Sequence, residues 1–143
     1  MSKRFIRNER GAALLETAIT IPIVLLICVG IFEFGRAYQT WQVLTNAARE
    51  GARIAVINGT TDQQVADAVR AYLTSGRLSD AQSAVVNINR NDAVGAYSAS
   101  RIEVNYPFNF IVLNPVARLV VSGTNTGSAA LTMQSVAIMR NES

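Results

Sequence analysis

From Ala12 to Phe32 the chain reads AALLETAITIPIVLLICVGIF, an apolar run in which Glu16 is the only charge. Wound as a helix rising about 1.5 Å per residue, it is roughly 31 Å long and matches a bilayer hydrocarbon core of about 30 Å. The uncharged part alone, Thr17 to Phe32, would reach only about 24 Å, so the span includes Glu16, about a turn and a half from its start. A carboxylate at the centre of a membrane helix costs roughly 2.5–3.5 kcal/mol, so Glu16 calls for a partner or a task. Lys3, Arg4, Arg7 and Arg10 precede the run against one acid, Glu9. By the positive-inside rule the N-terminus stays in the cytoplasm and everything after Phe34 lies outside.

A removable secretory signal is the competing reading. Its apolar region would be about 7–15 residues long and would end at a small-residue cleavage site. Here the run is longer and leads into FEFGRAYQTWQ, which has no such site. Pro22 removes one backbone donor within the span, which predicts a kink or loosening, although membrane helices tolerate proline without any special role. Cys28 is the only cysteine. It permits no intrachain disulfide and reads as a small buried hydrophobe.

The net charge of +3 invites a nucleic-acid reading, but its distribution rejects one. Four of the 13 Lys and Arg and one of the 10 Asp and Glu lie in the first eleven residues, leaving nine of each. Basicity is thus an orientation signal, and no basic stripe remains to track phosphates. There is no histidine, no cysteine pair, no clustered Asp/Glu and no phosphate-binding or nucleophile-elbow motif. No enzyme activity, cofactor, metal or small-molecule substrate is expected.

Gly11 stands directly before the apolar run and Glu16 is the fifth residue after it. This junction resembles the processing site of type IV pilins. The resemblance implies that a membrane-embedded prepilin peptidase cuts between Gly11 and Ala12, removing residues 1–11 and leaving about 132 of the 143 residues. The new amine of Ala12 would then lie one turn from Glu16, or meet Glu16 of a neighbouring subunit. In a low-dielectric setting such a pair offsets much of the burial cost and fixes axial register between helices. The competing reading leaves Glu16 snorkelling towards headgroups with no specific role.

Beyond Phe34 apolar or small residues recur at Ala37, Trp41, Leu44, Ala48, Gly51/Ala52 and Ala55, the spacing of one helix face. Asn58-Gly59 supplies a stop. Ala12 to Ile57 therefore reads as one helix of about 46 residues, roughly 69 Å long. Residues 12–34 form its transmembrane half and 35–57 its extracytoplasmic half. Ala47, Gly51 and Ala55 make a small-residue row that suits close packing against the chain's own sheet or against adjacent helices. Glu33–Arg36 and Glu50–Arg53 read as solvated helix pairs.

ERGAALLETAITIPIVLL followed by FEFGRAYQTWQVLTNAAREGARIAV is similar to the TadE-like minor pilins, or pseudopilins, of the tight-adherence (Tad/Flp) pilus system. The likeness is dense from Glu9 to about Val56. The glycine-plus-acid junction belongs to all type IV pilins. Glu33-Phe34-Gly35-Arg36 and Ala47-Ala48-Arg49-Glu50-Gly51-Ala52-Arg53 carry the TadE-like character. Carried over, Gly11 is the peptidase recognition residue, Ala12 the new N-terminus and Glu16 the assembly acid. Ala12 departs from the bulky residue that many major pilins carry there, which leaves methylation of the new terminus open.

Residues 58–143 read as a small α+β domain. Asp62 caps a second helix with Val65, Val69, Tyr72 and Leu73 on one face, ending near Ser75-Gly76. Strands are expected at Ala84–Arg90, Arg101–Phe108 and Leu131–Met139, with turn-rich connectors at 91–100 and 122–128. Ile102, Val104, Tyr106 and Phe108 share one face of the second strand. The stretch from Phe108 to Val121 is interrupted by Pro115 and Arg118 and is too short for a second membrane pass, so a buried loop, short helix or partner-facing patch is expected. A long helix packed on a small antiparallel sheet with one further helix is the type IV pilin architecture. SVAIMRNE, near the C-terminus, also resembles the end of TadE-like domains.

The resemblance implies a minor pilin or pseudopilin that takes part in initiation, tip formation or regulation of an adhesive tight-adherence pilus. Its partners would be the prepilin peptidase, other pilins of the system, the inner-membrane assembly platform and the lipid bilayer. The alternative is a single-pass, membrane-anchored extracytoplasmic binding or assembly module that never enters the filament.

Overall fold

A computed structural model describes residues 9–94, 97–112, 114–115 and 131–141. Helix α1 (Glu9–Ala55) is a single unbroken helix of 47 residues that runs through Pro22. It begins within the segment expected to be a leader and stops two residues short of the expected Ile57. The stop has a local cause. Thr60 Oγ1 donates to the carbonyls of Ile54 (3.0 Å) and Ile57 (2.8 Å), satisfying acceptors that the helix leaves open. Gly59 takes φ 87°, a turn conformation that glycine adopts without strain.

Helix α2 (Asp62–Ser75) follows. Its cap is Thr61 rather than Asp62. Thr61 Oγ1 accepts from the Gln64 backbone N–H, and Gln64 Oε1 accepts from the Thr61 N–H at 2.9 Å, a reciprocal capping box. Asp62 falls in the first turn, where its charge favours the helix dipole. Val65, Val69 and Leu73 are buried as expected, but Tyr72 is turned outward at 37% exposure. The buried stripe is the narrow i, i+4, i+8 row that faces α1.

A short 3₁₀ turn, Ala81–Ser83, leads into β1 (Val85–Val94), β2 (Tyr97–Phe108) and β3 (Leu131–Arg140). They form an antiparallel sheet in the order β1-β2-β3. The connector expected at 91–100 is instead largely strand, with 92–94 paired to 97–99. Its Asn, Asp, Gly and Ser content favours turns locally, and cross-strand hydrogen bonding overrides that preference. The connector expected at 122–128 lies outside the described residues, as does most of 113–121. The described part of that apolar stretch ends β2 and bends at 109–112.

Strict alternation places Ile102, Val104, Tyr106 and Phe108 of β2 inward, each at most 4% exposed. They meet Leu44, Ala47, Ala48 and Ala52 of α1 and Val65, Val69 and Leu73 of α2 in one core. Trp41 does not join it. It is 48% exposed and lies beside Tyr38, with ring centroids 6.2 Å apart. Thr40, 6% exposed, holds the inward position instead. The result is an α+β, pilin-like fold in which, among the described residues, only the second half of the long helix has a protein core around it.

Candidate functional site

Helix α1 has two environments. From Gly11 to Cys28 every side chain is exposed, and none of the described residues packs on any face. The apolar segment is long enough to cross a membrane, with a mean hydropathy of 2.4. Leu14 and Ile31 are 72% and 71% exposed. A helix apolar all round and bare all round needs another medium, lipid or other helices. Cys28 belongs to this bare surface rather than to a core.

The predicted processing residues sit at its start. Gly11 and Ala12 are helical and exposed, and Glu16 lies on the same bare segment one turn on. Thr20 Oγ1 donates to the Glu16 carbonyl at 2.7 Å, and Thr17 Oγ1 to the Ala13 carbonyl at 2.8 Å. Both hydroxyls thus fold back on their own helix, the usual way to satisfy them in lipid. The Glu16 carboxylate receives no hydrogen bond from the described residues. Pro22 is exposed on this segment. Lys3, Arg4 and Arg7 lie outside the described residues, and Arg10 lies in the first turns of α1.

Ala47, Gly51 and Ala55 face the chain's own domain. Ala47 is fully buried and Ala55 is 3% exposed. A Cβ on Gly51 would stand 2.6 Å from Val69 Cγ2 and 3.2 Å from Ile102 Cγ2. The glycine therefore sets how closely α2 and β2 can approach α1. The row packs on α2 and the sheet rather than presenting a free face for adjacent helices.

At the junction between bare and packed halves is Glu33. Expected as half of a solvated pair, it is completely buried. Its Oε2 accepts from Arg36 Nη1 at 2.8 Å and its Oε1 from the Val112 N–H at 2.5 Å. Arg36 in turn lies 5.3 Å from the Phe108 ring centroid. A buried carboxylate is tolerated because a cation and a backbone donor both reach it. The local pattern missed this because Val112 is 79 residues away. A signal was nevertheless present, since Glu33, Ala37, Thr40 and Leu44 share the inward face at spacings of four, three and four.

Glu50–Arg53 is the exposed pair that was expected, with contacts of 2.9 and 2.6 Å. The Arg53 hydrogen bonds hold the Glu50 carboxyl below the usual carboxylate range, against a smaller opposing effect of burial. On the outer sheet face, hydrogen bonds from Asn105 first and then Gln134 lower Glu103 likewise.

At the far end of the domain Arg90 occupies a bulge in β1, between the pairs Asn89↔Arg101 and Asp92↔Ala99. Its guanidinium donates to the Ala55 carbonyl at 2.9 Å and pairs with Asp62 at 2.6 Å. One side chain thus joins the end of α1, the start of α2 and the sheet. Asn141 Nδ2 donates to the Arg90 carbonyl at 2.8 Å, and Asn141 Oδ1 accepts from buried Ser100 at 2.7 Å.

Residues 11–53 match the family model described as TadE-like protein. That segment is similar to TadE-like proteins and covers 43 of the 143 residues. No curated protein and no solved structure matches it. The TadE-like segment takes in the bare half of α1, the Glu33 junction and the inward face up to Ala52. It leaves α2 and the sheet outside. The likeness is confined to residues 11–53, and the bare apolar helix within them is consistent with membrane anchoring.

Proposed function

We propose that this protein, whose residues 11–53 resemble TadE-like proteins, is a minor pilin or pseudopilin that acts in initiation, at the tip or in regulation of a tight-adherence pilus used in surface adhesion. It waits in the inner membrane as a single-pass protein, N-terminus in and C-terminus out. Prepilin peptidase removes residues 1–11, and the assembly platform passes the chain to other pilins. One observation carries the reading: half of α1 is apolar on all sides and packs on none of the described residues, while the other half contributes to the core of a folded domain. A surface of that kind is stable in lipid first and among other helices afterwards. Glu16 is the single carboxylate on that surface. The free amine of Ala12, from the same or a neighbouring subunit, neutralises it and sets helix register.

The test has two parts. The native N-terminus, read by mass, is expected at Ala12, and Gly11→Ala is expected to block the cut. Glu16→Ala is expected to leave cleavage and insertion intact while abolishing piliation. Normal pili in that strain would refute the register role. A native protein still carrying residues 1–11 would leave the alternative, an anchored extracytoplasmic binding or assembly module.

A further inference from the structure

After β2 the segment Asn109–Val112 turns back onto α1 at the level where the apolar run ends. The bond from the Val112 N–H to buried Glu33 fixes that height, one residue past Phe32. With a rise of about 1.5 Å per residue, Glu33 and Val112 stand at the hydrocarbon boundary. Arg36 stands about 4.5 Å beyond Glu33, at the start of the headgroup layer. Ile111, next to the tied residue, is 58% exposed and lines the same cavity of about 270 Å³ as Arg36. On α1 at this level Ile31, Phe32 and Phe34 are 71%, 56% and 68% exposed. The Ile111 tip therefore continues the lipid-facing surface of the helix, and a cation sits where phosphates would be.

We propose that the Asn109–Val112 bend is a second, interfacial membrane contact. Ile111 inserts at the outer-leaflet boundary of a phospholipid bilayer, and Arg36 lies level with the headgroups. The base of the distal domain is thereby docked on the bilayer while α1 is still in the membrane. Glu33 is the positioning residue, because it ties the bend to the helix at the depth where an apolar side chain gains by leaving water. The inference rests on α1 being the membrane span. It adds that the tip must leave lipid when the protein enters a filament.

The test uses the full chain reconstituted in phosphatidylethanolamine–phosphatidylglycerol vesicles. An environment-sensitive fluorophore is placed on Ile111→Cys or on Asn58→Cys, each in a Cys28→Ser background. Native Cys28, labelled in the otherwise unaltered chain, is the reference for the span. At position 111 the emission is expected to be blue-shifted in the vesicles, and to be quenched by lipids carrying a nitroxide near the headgroup end of the acyl chain. Position 58, roughly 35–39 Å beyond Phe32 along the helix, is expected to show neither. Asn109→Cys, at an exposed polar site, gives the same readout should the change at Ile111 unfold the domain. Glu33→Ala is expected to reduce quenching at position 111 while Cys28 stays quenched. A label at 111 that behaves like the one at 58, with Cys28 quenched, overturns the inference and leaves the membrane span standing. Cys28 unquenched overturns both. Shielding of position 111 from lipid nitroxide and aqueous iodide alike would mean that a second protein chain covers the tip, and lipid docking would be refuted.

Discussion

Gly51→Ala isolates the contact on which the domain is built. The glycine lies inside α1, facing α2 and β2. The added Cβ would stand 2.6 Å from Val69 Cγ2 and 3.2 Å from Ile102 Cγ2. Both neighbours are β-branched and fully buried, so neither can swing aside by a rotamer change. Helix α2 or the sheet must move away by a few tenths of an ångström, and overpacking of this kind costs about 1–3 kcal/mol. Against it, alanine is favoured over glycine in a helix interior by about 0.8–1 kcal/mol. The net expectation is a loss of about 1 kcal/mol, equivalent to about 4–8 °C in the melting temperature of a domain of this size. Gly35→Ala is the matched control, since its Cβ would meet nothing within 4 Å and only the propensity gain applies. The assay is urea unfolding of the full chain in detergent, read by proteolytic susceptibility of the distal domain so that the membrane helix does not mask the transition. Equal or greater stability of Gly51→Ala relative to Gly35→Ala would refute the claim that close approach at Gly51 sets the packing.

The same assay checks three further expectations. Glu33→Ala leaves the Val112 N–H and Arg36 without their partner and is expected to cost about 1–3 kcal/mol. Glu33→Gln keeps an acceptor and should cost less, whereas identical behaviour of both variants and the native chain would show the tie to be idle. Thr61→Ala removes the capping box and is expected to cost about 1 kcal/mol, whereas Asp62→Ala should cost only a few tenths; the reverse order would assign the cap to Asp62. Glu50 and Glu103 both have folded-state pKa values below the ordinary carboxylate value. Their contribution is therefore present at neutral pH and lost as pH falls through and below the usual carboxylate range. The urea midpoint should drop on acidification, less steeply in Glu50→Gln/Glu103→Gln; a midpoint that rises on acidification would contradict the sign.

Where one short-range rule governed, the sequence could be read directly. The length of α1 followed from an unbroken apolar run and then a one-face repeat. The inward face of β2 followed from strict alternation at Ile102, Val104, Tyr106 and Phe108. Where two rules competed, the reading missed. Trp41 fits the helical repeat as well as Thr40 does, and only the position of the sheet turned the ring outward. Asn91 to Ser100 has turn composition, yet backbone pairing made most of it strand. Tyr72 lies beside Leu73 on the helical wheel, and the narrow contact with α1 buried one and exposed the other.

The sequence by itself determined that the first half of α1 is apolar on every side, that one carboxylate interrupts it and that the second half has a single packing face. These are properties of neighbouring residues, which the helical repeat makes additive. Only the tertiary structure decided that Glu33 is buried, that Val112 comes back to meet it and that Arg90 joins the ends of two helices. Those arrangements depend on backbone groups 79 and 35 residues distant. No local periodicity encodes such a separation, because it is set by how the sheet closes on the helix.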